Sequence, residues 1–200
     1  MPSILETLQQ SLGGGVTDEI GRRIGADRTT ASTALSAALP LILAALAKNT
    51  ANEPGAAALH ETISKNHDGS ILDHVGRLIG QPEQTEDGFN ILQHLFGRRP
   101  DRVNRGLSQT TGLDISQAGA LLAMLAPVVL GAIGRAKREK DLDPQNLGNL
   151  LHQEKREIEQ KAPREVGMLE KLLDADNDGD VDLSDLSRKG MGALGGLFGG

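Results

Sequence analysis

The chain has 200 residues, a formal net charge of −6, no cysteine, and only 2% aromatic against 38% hydrophobic residues. That length suits one sizeable domain, or a domain with a small module. The missing cysteine excludes disulfides, thiolate zinc sites and cysteine nucleophiles, and the net acidity removes the general electrostatic pull toward nucleic acid.

With so few aromatics, the core must be built from Ala, Leu, Ile and Val, a mix that favours packed helices over sheets. Met1-Pro2-Ser3-Ile4 has neither a basic region nor an apolar run, so the expected location is cytoplasmic by default, with export by a non-classical route as the alternative.

Ser3 followed by Glu6 reads as a capping box that opens a first helix reaching Leu12. Gly13-Gly14-Gly15 ends it, and a short helix follows over about Thr17–Ile24. Gly25 breaks that helix, and Asp27 is placed to cap a long one reaching about Lys48. Pro54 suits the first turn of the next helix, which ends near Lys65 before the turn Asn66-His67-Asp68-Gly69. Helical patterns follow over about Ser70–Ile79 and Gly88–Phe96, with the polar stretch Gly80–Asp87 read as a loop.

The second half repeats part of the first at an offset of 87 residues, Gly25 falling on Gly112. The match runs without a gap from Gly25–Lys48 to Gly112–Arg135, with Asp27/Asp114, Leu35/Leu122, Pro40/Pro127 and Leu43/Leu130 identical. Upstream, Val16/Val103 agree and Ile20/Leu107 are similar, so related units span about 16–48 and 103–135. This reads as an internal duplication. Each unit would hold a short helix, a Gly-Asp turn and a long apolar helix kinked at its proline. Asp143-Pro144 opens a further helix. The expected fold is all-α: a duplicated multi-helix bundle over 1–160, an EF-hand-like helix-loop-helix over 161–189, and a Gly-rich apolar tail over 190–200.

The stretches Asp68-Gly69-Ser70-Ile71-Leu72-Asp73-His74 and Ile91-Leu92-Gln93-His94-Leu95-Phe96-Gly97 are distinctive, as is Thr111-Gly112-Leu113-Asp114 leading to Leu125-Ala126-Pro127. In that order they resemble the bacterial DUF937 family, which includes the YidB-like proteins, over roughly residues 1–160. The resemblance implies a bacterial all-α protein and no particular chemistry, since the family has no assigned function.

The strongest chemical motif lies outside that resemblance, at Asp174-Ala175-Asp176-Asn177-Asp178-Gly179-Asp180-Val181-Asp182-Leu183-Ser184-Asp185. A hard cation such as calcium takes six to eight oxygen ligands. Asp174, Asp176 and Asp178 fall at loop positions 1, 3 and 5, and Gly179 at the sharp turn of position 6. Asp180 offers its backbone carbonyl, Asp182 binds through water, and Asp185 stands at position 12, where the EF-hand pattern prefers Glu. Dockerin-type loops, which this one also resembles, use Asp there. The shorter side chain should weaken calcium binding and let magnesium compete. EF-hands usually pair, so a lone loop points to weak binding or to pairing with a second copy or a protein partner.

Other sites are less well supported. Asp18–Ile24, the turn at Gly25 and Thr29–Leu39 have helix-turn-helix lengths, but the second helix carries no Arg, Lys, Asn or Gln to read bases. Ala31–Ala47 and Ile115–Gly134 are uncharged, which raises membrane insertion or partner docking as the alternative function. His60, His67 and His74 are seven apart but straddle a turn, which argues against a zinc site. No nucleophile motif or phosphate loop is present. In the tail, Leu194, Leu197 and Phe198 either fray or dock into a groove. The expectation is a non-enzymatic calcium-binding helical protein.

Overall fold

A computed structural model describes residues 2–97, 100–161 and 167. The described residues form helices and no strands. In chain order these are α1 (Ile4–Ser11), α2 (Gly15–Ile24), α3 (Arg28–Asn49), α4 (Glu53–Asn66), a 3-10 turn (Ser70–His74), α5 (Val75–Leu78), α6 (Pro82–Phe96), α7 (Pro100–Thr111), α8 (Ile115–Lys140) and α9 (Pro144–Lys161).

Local chemistry sets most of these boundaries. The Ser3 hydroxyl accepts from the Glu6 amide at 3.1 Å, and the Glu6 carboxylate accepts from the Ser3 amide at 3.0 Å, closing the capping box of α1. Asp27 caps α3 by accepting from the Thr29 and Thr30 amides, and Asp114 caps α8 by accepting from the Gln117 amide. Gly25 and Gly112 both adopt left-handed backbone, at φ 72° and 78°, the conformation that glycine enters without a Cβ penalty. The segments matched at an offset of 87 therefore share their turn residue and their cap. Pro40 and Pro127 lie inside α3 and α8, each of which continues through its proline as one helix.

Two boundaries differ from the sequence reading. The stretch read as a loop, Gly80–Asp87, is mostly the start of α6. Pro82 sits in the first turn, where its missing N–H costs nothing, and Glu83 complements the positive helix end. The stretch Ser70–Ile79 is a 3-10 turn followed by a four-residue helix rather than one continuous helix. The break falls at His74, whose φ −134° and ψ 19° are not helical, and Gly69 fixes the start of the turn on α8. Gly69 has φ 96°, and a Cβ there would lie 2.8 Å from Arg135 Cβ and 3.0 Å from the Arg135 backbone.

α8 is the centre of the molecule. From Leu121 to Gly134 every residue is buried, and α1, α2, α3, α4, α6, α7 and the 3-10 turn all pack against it. α3 is nearly as enclosed, with every residue from Ala37 to Ala47 buried. From Ala37 to Ala47 in α3, and from Leu121 to Gly134 in α8, neither helix has a polar face, which is why both are long and apolar enough to cross a membrane yet serve as core. Of the most apolar 18-residue stretch in each helix, 78% is buried in α3 and 89% in α8. In the supposed base-reading stretch of a helix-turn-helix, Ala31, Ala34, Leu35, Ala37, Ala38 and Leu39 are buried, and the exposed face offers Thr29, Ser32, Thr33 and Ser36, with no Arg, Lys, Asn or Gln among them.

The small residues of α8 let neighbouring backbones come unusually close. Pro127 has no amide to bond the Ala123 carbonyl, and Gly88 of α6 covers that carbonyl: a Cβ on Gly88 would fall 1.7 Å from Ala123 O. Three turns further along α8, a Cβ on Gly134 would fall 1.8 Å from His67 O. At the opposite side, the buried Glu154 of α9 accepts from the Ile4 amide at 2.9 Å and the Leu5 amide at 3.4 Å, tying α9 to the first turn of α1. Burial raises the Glu154 pKa, and those two amide bonds pull against the rise.

These contacts predict a sharp contrast between two glycines. Gly88→Ala should destabilise the domain by about 2–3 kcal/mol through overpacking, lowering the melting temperature by roughly 5–10 °C. Gly76→Ala, whose nearest new contact is Val16 Cγ2 at 3.6 Å, should stay within about 0.5 kcal/mol of wild type. Thermal denaturation of both variants checks this.

Candidate functional site

α4 and α6 both lie on α8, yet they make no more than glancing contact with each other. Between them runs a cleft with two adjoining cavities. One, of about 390 Å³, is mostly apolar, with Leu59 on α4 facing Ile91 on α6 and Leu46, Leu95 and Leu130 in its lining. The other, of about 290 Å³, is more polar and is lined by the end of α4, the 3-10 turn and the start of α6, including Asp68, His74 and Gln84. Asn66, His67 and Asp87 line both.

Each side of the cleft is held in place by its neighbours. The His67 amide donates to the Ile63 carbonyl at 3.1 Å, closing α4. The contact of the His67 carbonyl with Gly134 then fixes the residue on α8. Asp87 immediately precedes Gly88, so the contact with Ala123 sets its height. At the other end, the Asn49 amide group donates to the Ala45 and Leu95 carbonyls at 3.0 and 3.1 Å, joining the ends of α3 and α6. Asp68 accepts from the Ser70 amide at 2.9 Å, and Arg135 donates to the Gly69 carbonyl at 3.0 Å and to Asp73 at 2.6 Å, securing the turn on α8.

His67 is the unusual group. It is 7% exposed, and its Nε2 is buried without a hydrogen-bond partner. The nearest opposite charge is Asp87 Oδ2 at 3.7 Å, beyond hydrogen-bond range. Burial pushes the imidazole pKa below its ordinary value, and the Asp87 carboxylate acts in the opposite sense. The lowered pKa favours the neutral ring at pH 7.

The sequence-expected sites fall elsewhere. Asp174, Asp176, Asp178, Asp180, Asp182 and Asp185 all lie outside the described residues, as does the tail with Leu194, Leu197 and Phe198. The three spaced histidines are split: His60 Nε2 meets the Leu142 carbonyl at 3.1 Å, whereas His67 and His74 share the polar cavity. Among the described residues no group of three or more His, Asp or Glu side chains is placed to hold a metal ion. The sequence reading missed the approach of Asp87 to His67, because it assigned Asp87 to a loop.

The His67 environment gives a pH dependence of defined sign. Between the lowered folded pKa and the ordinary value near 6.5, the unfolded chain binds more protons than the native one, so stability rises with pH. The contribution is complete above about 6.5 and is lost as pH falls through the folded pKa, with a slope of at most about 1.4 kcal/mol per unit. His67→Gln should remove this component. Asp87→Asn should extend the window to lower pH by removing the charge that favours imidazolium. Urea denaturation of the three proteins from pH 7.5 to 5 checks both.

No curated protein matches the chain, and no solved structure matches it. The model of a family described as a bacterial protein of unknown function, DUF937, matches residues 6–136. The match takes in the helices from α1 into α8, both sides of the cleft included, and leaves α9 and the Asp-rich segment outside. It covers more than half of the chain, and the protein belongs to the DUF937 family.

Proposed function

We propose that this chain is a non-enzymatic calcium-binding protein in which a helical domain is joined to an EF-hand-like loop at residues 174–185. The observation that carries this reading is the sequence of that segment: six aspartates in twelve residues, at the spacing of an oxygen-ligand loop, with glycine at the turn position. Asp174, Asp176 and Asp178 supply side-chain oxygens, Asp180 its carbonyl, Asp182 a water-mediated contact and Asp185 the closing carboxylate. Without a cation, six like charges repel one another. Calcium offsets that repulsion and orders the segment without reshaping the helices of residues 4–161.

The described helices favour this role over the membrane alternative. Inserting α3 or α8 would expose the remainder of the core, whereas their burial against one another leaves no unpartnered apolar face on either.

With Asp185 closing a lone loop, the dissociation constant for calcium should be roughly 10⁻⁵–10⁻³ M, with magnesium competing. Asp174→Ala or Asp178→Ala should abolish binding by removing a direct ligand. Asp182→Ala should weaken it less, since water stands between that carboxylate and the ion. A calcium titration followed by NMR checks this, the expected shifts being confined to residues 174–185 and their immediate flanks. Unmoved amides there at millimolar calcium, or larger shifts within residues 4–140, would refute the proposal.

A further inference from the structure

The cleft between α4 and α6 has a chemical pattern that a second segment of this chain complements. One cavity is apolar, with the half-buried Leu59 and Ile91 at its sides. The adjoining cavity carries two carboxylates, Asp68 and Asp87, and among the described residues no lysine or arginine lines either one. Asp68 already faces Arg138 Nη1 at 3.6 Å, which leaves Asp87 as the principal uncompensated anion, since neutral His67 does not pair with it. A matching occupant is an apolar peptide with a cation at one end, thin enough in backbone to lie between two helices.

Residues 188–198 have that composition. Arg188 and Lys189 are followed by Met191, Leu194, Leu197 and Phe198, separated by glycine and alanine, and no acidic residue follows Asp185. This segment is positive in a chain whose net charge is −6. The glycines allow close backbone approach. Reach is ample: the 27 residues from Lys161 to Arg188 extend to about 90 Å, several times the roughly 15 Å radius of gyration of a domain this size.

We propose that the α4–α6 cleft is the docking site of residues 188–198 of the same chain, with Lys189 and Arg188 against Asp87 and the apolar side chains between Leu59 and Ile91. Docking would cover the apolar cavity. It does not depend on the calcium reading, because it rests on the cleft and on residues beyond the loop.

The absence of cysteine makes the test direct. Gly200→Cys introduces a single thiol into the full chain for a nitroxide label, and paramagnetic quenching of backbone amides maps where the segment lies. The expected result is loss of signal centred on Leu59, Thr62, Asn90, Ile91 and His94. That loss should disappear in Phe198→Asp and Leu197→Asp, which alter no residue of the described helices. Asp87→Lys should weaken it, and Asp87→Lys combined with Lys189→Glu should restore it, a rescue that a purely structural role for Asp87 would not give. Quenching spread evenly over the surface, or centred on another face, overturns the proposal. So does quenching seen only between a labelled chain and a separate isotope-labelled one, which would assign the cleft to a second copy.

Discussion

Everything else in this domain depends on how closely other backbones can approach α8. That helix has no polar face from Leu121 to Gly134, so it must be covered on all sides. Its small residues set the depth of the cover. Gly88 seats α6 on the carbonyl that Pro127 leaves without an amide, and Gly134 seats the end of α4 through the His67 carbonyl. Packing at backbone distance gives these helices positions that longer side chains on α8 would forbid.

The cleft is a consequence of the same geometry. α4 and α6 are each drawn onto α8, and nothing draws them onto each other. The gap that remains holds His67 and Asp87, residues fixed by contacts at or next to the two glycine seats. His67, 7% exposed, keeps its Nε2 3.7 Å from the Asp87 carboxylate, and both residues line both cavities.

Much of the fold was legible in the sequence because its signals are local. The Ser3–Glu6 box, the Asp27 and Asp114 caps and the left-handed glycines at 25 and 112 each act within a few residues, and the spacing alone located them. The start of α6 was not legible as a loop-breaking signal, because Gly80–Asp87 is polar and contains a proline. In fact Pro82 belongs to the first turn, where proline is favoured. The cleft was invisible for a different reason. Read along the chain, a glycine at 88 or 134 is only a weak spot in a helix; its use as a seat for another backbone appears only when residues far apart in sequence meet. The Asp-rich segment stood out in the sequence, and it lies outside the described residues.

The most direct test of this account is native-state hydrogen exchange. If α8 is the element on which the others are seated, amides from Leu121 to Gly134 should exchange only through global unfolding, with opening free energies equal to the denaturant-derived stability. Amides of α4 and the first turns of α6 should open at lower free energy, as the two sides of a cleft that do not support each other. Exchange of the α8 amides by local opening, at lower free energy than those of α4 or α6, would contradict the account.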